Sequence, residues 1–370
     1  MRSGIRLTRG ALLAQRPSRR AASTTAARAM AFSAAGALAL AAAAGPAAAE
    51  ELPPQLAYAY GENETPRAAA LGGALRALGN GTSAIFLNPS AMVETRVYHL
   101  QALFQGSPEA ERHAYGGVVV DSVTGNLAGA LSFVGGYVDM GEGGLRRSYL
   151  DARAALAYPI TDRIFVGVTG RYAKITQDGT LGGRWLDAGP VSGGLRDKDD
   201  AVVRTNAAGE AESVPVGRHS FVNEFTFDAA LTVKATDNLY IAAVGQNLTF
   251  PDHGLLPTTV GGGVGFGTND FSIEVDGLAD LHSYRETSYR LMAGGEYLVA
   301  DRFPLRAGYR FDQGAGQHAL SLGAGYVGTQ FAVEGTVRRA LASGGPTTFV
   351  VGLSYHLESS GLTRAQSEGL

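Results

Sequence analysis

Phe331-Ala332-Val333-Glu334-Gly335-Thr336-Val337-Arg338 decides how this chain is read. Phe331, Val333 and Val337 fall on one side of an extended backbone; Glu334, Thr336 and Arg338 fall on the other. A strand sends successive side chains to opposite faces, so the segment has an apolar face and a charged one. Phe303-Leu305-Ala307-Tyr309-Phe311 repeats the rhythm, with Arg306, Arg310 and Asp312 between. The alternation runs from about Glu94 to Leu357. It gives candidate strands near 94–104, 111–120, 125–136, 148–158, 163–175, 219–234, 238–248, 258–267, 269–279, 287–299, 302–312, 317–326, 328–338 and 346–357. Amphipathic strands of this length and number, with no helical domain to cover them, predict an all-β fold. The architecture expected is a transmembrane antiparallel β-barrel of about 14 strands.

The connections carry a second signal. Every second one is a tight turn, as at Pro159-Ile160-Thr161-Asp162, Ala235-Thr236-Asp237 and Ala300-Asp301, while those between are longer, above all 176–218. Short turns on one side and long loops on the other are the asymmetry of outer-membrane barrels, with the short turns periplasmic. Both barrel ends then lie on the periplasmic side, which requires an even strand count. The competing architecture is a β-sandwich, which buries one face of each strand and wets the other. Tyr149, Tyr158, Phe165, Tyr172, Tyr240, Tyr289, Tyr297, Tyr309, Tyr326 and Tyr355 near strand ends favour the barrel, where aromatic girdles mark the membrane interfaces. Gly352, Tyr355 and Leu357 in the last strand look like the signal read by the barrel-assembly machinery, although polar residues 358–370 follow where the chain would usually end.

Residues 1–49 read as an export signal. Seven arginines and no acid precede the small apolar run Ala31–Ala44, and Ala47-Ala48-Ala49 offers a cleavage site. Removing those arginines takes the formal charge from −3 to about −10, which argues against a nucleic-acid partner. There is no cysteine, so disulfides and thiol chemistry are excluded. After residue 49 no stretch is long and apolar enough for a membrane helix, so any membrane crossing is by strands. Residues 50–93 form a leader before the barrel (94–357). Thr65-Pro66 is a helix start, and Ala68, Leu71, Leu75 and Leu78 recur at helical spacing. Gly79-Asn80-Gly81 is the expected helix end.

Arg67-Ala68-Ala69-Ala70-Leu71-Gly72-Gly73-Ala74, followed by Thr82-Ser83-Ala84-Ile85-Phe86-Leu87-Asn88-Pro89-Ser90, resembles the start of the FadL superfamily of outer-membrane proteins. That superfamily includes hydrophobic-compound transporters and PorV/PorQ-like proteins of secretion systems. Its small acidic turn is replaced here by Gly79-Asn80-Gly81, and its Asn-Pro-Ala-Gly by Asn88-Pro89-Ser90-Ala91. Gly245-Gln246-Asn247-Leu248 is similar to an Asn-Leu strand end in PorV-like members. The resemblance implies a barrel plugged by its own N-terminal helical segment, with Gly72, Gly73, Asn88 and Pro89 in the plug and the approach to the barrel. It also implies a hydrophobic ligand that lodges near the plug and leaves through a gap in the wall. The leucine stripe agrees, because a leader with an apolar face needs a surface to cover it.

No catalytic or cofactor arrangement stands out. There is no Gly-x-Ser-x-Gly elbow, the glycine run Gly261–Gly267 fits no nucleotide fingerprint, and the seven histidines lack metal spacing. Glycines there would let the sheet bend or the plug approach. By alternation Asp151, Arg153, Arg171, Glu224, Asp228, Glu274, Asp276, Arg290, Glu296, Arg306, Arg310, Asp312, Glu334 and Arg338 face the lumen. They suit a salt-bridge network; Arg306, Arg310 or Arg171 would also suit an anionic ligand head. Loop 176–218 holds Trp185, the only tryptophan, where the FadL-type transporters carry part of an outer groove; the next long loop, 249–257, is shorter than theirs.

These readings converge on an outer-membrane protein of a Gram-negative bacterium, in contact with outer-membrane lipids. The leading expectation is uptake of small hydrophobic compounds, long-chain fatty acids or similar. The alternative is a PorV-like barrel that anchors a periplasmic or secreted protein partner.

Overall fold

The computed structural model describes residues 63–139, 146–178, 203–205, 211–213, 219–251, 255–283, 286–341 and 345–356. The expected export signal, Trp185 and the tail after 357 lie outside the described residues. The chain enters through two short helices, α1 (Pro66–Ala70) and α2 (Ala84–Leu87), and two 3-10 turns, Gly81–Ser83 and Pro89–Val93. The strands follow: β1 (Tyr98–Ser107), β2 (Arg112–Asp121), β3 (Ala128–Asp139), β4 (Arg146–Pro159), β5 (Ile164–Asp178), β6 (Val203–Thr205), β7 (Ala211–Ser213), β8 (His219–Lys234), β9 (Leu239–Gln246), β10 (Thr259–Gly267), β11 (Phe271–Asp280), β12 (Ser288–Val299), β13 (Phe303–Asp312), β14 (Gln317–Val327), β15 (Phe331–Ala340) and β16 (Thr347–His356). Strands β6 and β7 form a separate ribbon between β5 and β8, and the other fourteen close into one antiparallel barrel, with β1 paired to both β2 and β16.

Every expected strand is present. The first begins later than expected, at Tyr98, because Pro89–Val93 turns and is buried up to Met92. The wall is inside out relative to a water-soluble sheet. Leu322, Phe225, Val275 and Phe133 are 68, 67, 61 and 59% exposed, whereas Arg153, Asp151, Glu274, Asp276, Arg290, Arg306, Glu334 and Arg338 are buried. No sandwich leaves its apolar face wet and hides its charges, so the outer face is a lipid face. Not every expected girdle residue lies on it. Tyr158, Tyr289 and Tyr355 are exposed, but Phe165 and Tyr240 turn inward and are buried, because the pleat sets their direction and position near a strand end does not.

Residues 63–93 fill the lumen. Almost every one is buried, including Leu71, Leu75, Leu78, Ile85 and Met92. Wall glycines make the space. A Cβ on Gly308 would overlap Gly72 N, one on Gly167 would overlap Ser90 N, and one on Gly294 would meet Leu71 at 2.6 Å. Gly265, inside the glycine run of β10, makes room for Leu78 in the same way.

The expected long helix over 66–78 does not form. Helix α1 starts as predicted, with Thr65 Oγ1 accepting from Ala68 N, but it stops after Ala70. Gly72 and Gly73 take left-handed backbone, at φ 68° and 88°, and close the helix. Beyond them the N–H groups of Leu75 and Arg76 donate to Asp276 at 3.0 and 3.1 Å. Those of Ala77 and Leu78 donate to Glu274. The wall of β11 thus supplies the acceptors that a helix would have found in itself.

Candidate functional site: the plugged lumen

Three ionic groups tie the plug to the wall. At the start of the plug, Glu64 meets Arg338 at 2.5 Å and Arg310 at 3.6 Å, and its carbonyl accepts from Gln105. On α1, Arg67 reaches Glu296 through two nitrogens, at 3.2 and 3.0 Å, and donates to Asn80. Glu296 is shared with Arg306, which also meets Glu334 at 2.5 Å. Farther on, Arg76 pairs with Asp276 at 3.1 Å. Buried carboxylate–guanidinium contacts of this kind fix register as much as they add stability, since desolvation offsets much of the attraction.

The Asn88-Pro89 segment is a hydrogen-bonded anchor. The Asn88 side-chain oxygen accepts from the Ser90 N–H and hydroxyl at 3.0 and 2.6 Å. Its amide nitrogen donates to the Arg76 carbonyl and to Thr232 of β8. Pro89 stands at the first position of the 3-10 turn, where its missing N–H costs nothing.

The long-loop half of the lumen holds a second group of charges and a cavity of about 60 Å³, room for about four waters. Asp151 holds Arg153 at 2.7 Å and Arg171 at 2.6 Å; Arg153 also stands over the Phe86 ring. Arg171 donates to the Asn247 side chain at 3.0 Å, and the Asn247 backbone N–H donates to Asp228. Arg290 pairs with Asp280 and Asp312, at 2.8 and 2.9 Å. Arg76, Arg153, Arg171, Arg290 and Arg310 line the cavity together with Glu64, and each of the five also faces a lumen carboxylate. Phe86, Leu87 and Met292 form its apolar side. Asn63, also on the lining, is buried, and neither of its side-chain polar atoms has a hydrogen-bond partner among the described residues.

Of the sequence candidates, Arg171 and Arg310 meet at this cavity. Arg306 does not; it is spent between Glu296 and Glu334. Trp185 lies outside the described residues. Gly72, Gly73, Asn88 and Pro89 all belong to the plug. Glu64, Arg76 and Asn63 do not stand out in the sequence; the available signal is charge in an otherwise apolar leader. Among the described residues no cluster of three or more metal-ligating side chains occurs.

The strand ladder runs around the barrel without the gap that the resemblance implies. It is lowest at β9, where the pairing with β8 covers only Ala229–Lys234. Above it the chain leaves the ladder at Asn247 (φ 54°), and Leu248 N donates to Phe227 O. This low stretch of wall borders the cavity, whose lining includes Gln246, Asn247, Pro257 and Thr259.

No family model matches the sequence, and no curated protein sequence does. Solved structures do match. The Ralstonia pickettii toluene transporter TbuX superposes with a TM-score of 0.55 at 15% identity, over 80% of this chain and 99% of its own. The monoaromatic hydrocarbon channel CymD gives 0.54 at 12% identity, over 80% and 97%. A Pseudomonas aeruginosa FadL homologue gives 0.54 at 13%, over 80% and 98%. At such identities the likeness is one of fold. The fourteen strands and these superpositions establish that the chain has the FadL-type barrel fold.

Proposed function

We propose that the protein lies in the outer membrane of a Gram-negative bacterium, short turns and both termini periplasmic, and takes up small hydrophobic compounds that carry an anionic head. The cavity carries this reading: Arg171 and Arg310 line it beside Phe86, Leu87 and Met292. A carboxylate head would meet Arg171 and Arg310, since guanidinium matches carboxylate with paired hydrogen bonds. Asn63 offers a free donor and acceptor there. The apolar part of the ligand would lie against Phe86 and Leu87. The FadL-type fold supports the same reading. Capture falls to loop 176–218, and passage requires residues 63–93 to move, because they fill the lumen beneath the cavity.

A second reading has its own support. The lumen is nearly full and the cavity is small, which suits a barrel that anchors a periplasmic or secreted protein and transports nothing. Native purification followed by mass spectrometry tests the two. A co-purifying amphipathic carboxylate, displaced in an Arg171→Ala variant, is the outcome expected of a transporter. A stoichiometric protein partner with no small molecule would replace transport by anchoring, and neither species would count against both.

A further inference from the structure

At the short-turn end, away from the cavity, two histidines face each other across the seam that closes the barrel. His99 is the second residue of β1 and His356 the last of β16, and they are direct partners in the register of the first and last strands. Their ring centroids are 4.2 Å apart, with planes at 60°. Both side chains point into the lumen and are 2% exposed. His99 Nε2, His356 Nδ1 and His356 Nε2 are buried without a hydrogen-bond partner among the described residues. Buried polar atoms are nearly always satisfied, so three orphaned nitrogens in one pair of rings need an explanation. The neighbouring groups do not supply it. Gln101, two residues along β1, is engaged by Thr82 and Ser354, and Glu334 is held by Arg306.

We infer that His99 and His356 form a two-histidine site for a first-row divalent cation of imidazole preference, copper, nickel or zinc. Neutral imidazole offers a lone pair to such ions, and metal–nitrogen bonds of about 2.0–2.1 Å place two ligating nitrogens about 3.3 Å apart. The ring centroids stand 4.2 Å apart, so the rings open by up to about 1 Å to share one ion at those bond lengths. Among the described residues no third histidine, cysteine or carboxylate completes the set. With two protein ligands, the ion exchanges more readily than one in a four-ligand structural site. Because its two ligands come from the first and last strands, the ion clasps the barrel seam. Binding to the folded barrel alone raises resistance to unfolding through linkage. The clasp sits below the plug: a Cβ on Gly81 would touch His99 Nδ1 at 3.5 Å. This site is independent of the ligand proposed for the cavity.

The test uses the full-length, untagged barrel in detergent micelles, titrated with copper(II) at neutral pH. Electron paramagnetic resonance is expected to show one copper per chain with two nitrogen ligands, and the thermal unfolding midpoint is expected to rise with added metal. His99→Asn and His356→Asn are each expected to weaken binding at least tenfold and remove the metal-dependent rise. The wild-type spectrum tests the proposal even if a variant folds poorly. Absence of one-to-one binding, a spectrum without two nitrogens, or binding that survives both substitutions would overturn it.

Discussion

Two arginines of β13 separate structure from recognition. Arg306 stands between Glu296 and Glu334, and its removal takes the cation from Glu334 while Glu296 keeps Arg67. Breaking a buried pair in this way costs about 3–5 kcal/mol. Arg306→Ala should therefore lower the urea midpoint of unfolding markedly, or leave the protein unable to fold into liposomes. Arg310 is four residues on, lines the cavity and lies 3.6 Å from Glu64, which keeps its closer contact with Arg338. Arg310→Ala should fold with a smaller loss of stability and should weaken binding of an amphipathic carboxylate by about tenfold or more, roughly the 1.4 kcal/mol of a modest charge-assisted contact. Equilibrium unfolding and ligand titration of both variants check this; equal effects of the two on binding would undo the distinction. From the sequence, both residues are legible as lumen-facing, because alternation fixes the face. Which carboxylate each one meets is not legible, because Glu296 and Glu334 reach Arg306 through strand register, and Glu64 reaches Arg310 from the plug, in ways that no local pattern encodes.

At the scale of elements, the plug is held by the wall more than by its own secondary structure. Glu274 and Asp276, two residues apart on β11, receive the N–H groups of residues 75–78, and Asn88 binds the Arg76 carbonyl from the other side. This explains why leucine spacing over 66–78 predicts more helix than forms. The spacing is real, and all three leucines are buried, but Gly72-Gly73 ends the helix, and the acceptors that then take the N–H groups of residues 75–78 lie about 200 residues away in sequence. The close fit gives a direct test of movement. A side chain at Gly308 would overlap the plug backbone at Leu71 and Gly72, while β12 and β14 still pair with β13 on either side. Gly308→Val should leave the barrel folded, as judged by its heat-modifiable migration on gels, and should displace the plug. Single-channel conductance in planar bilayers is expected to rise above the near-silent wild type. An unchanged conductance with an intact barrel would mean that the plug adjusts without leaving, and gating by residues 63–93 would lose its support.

For the whole molecule, the distribution of polarity is the property to challenge. A water-soluble protein tolerates charge on its exposed face; a membrane barrel tolerates it only in the lumen. Leu322 stands in the middle of β14, 68% exposed, between Ser321 and Gly323, whose neighbours across the strands are Gly308 and Arg306 on one side and Arg338 and Thr336 on the other. In a membrane-embedded barrel its side chain lies in the hydrocarbon. Arginine at the bilayer midplane of such a barrel costs about 2–4 kcal/mol, and the cost falls toward the interfaces. Leu322→Arg should therefore reduce folding into lipid vesicles by an amount in that range, measured by reversible urea titration. Leu341, beyond the end of β15 and 50% exposed, lies at the long-loop rim, and Leu341→Arg should cost about 0–1 kcal/mol. A depth-dependent pair of penalties is the signature of a bilayer around this wall. Equal and negligible penalties at both sites would place the apolar face against something other than lipid, and the inside-out pattern of Phe331–Arg338 would then need a protein surface to cover it.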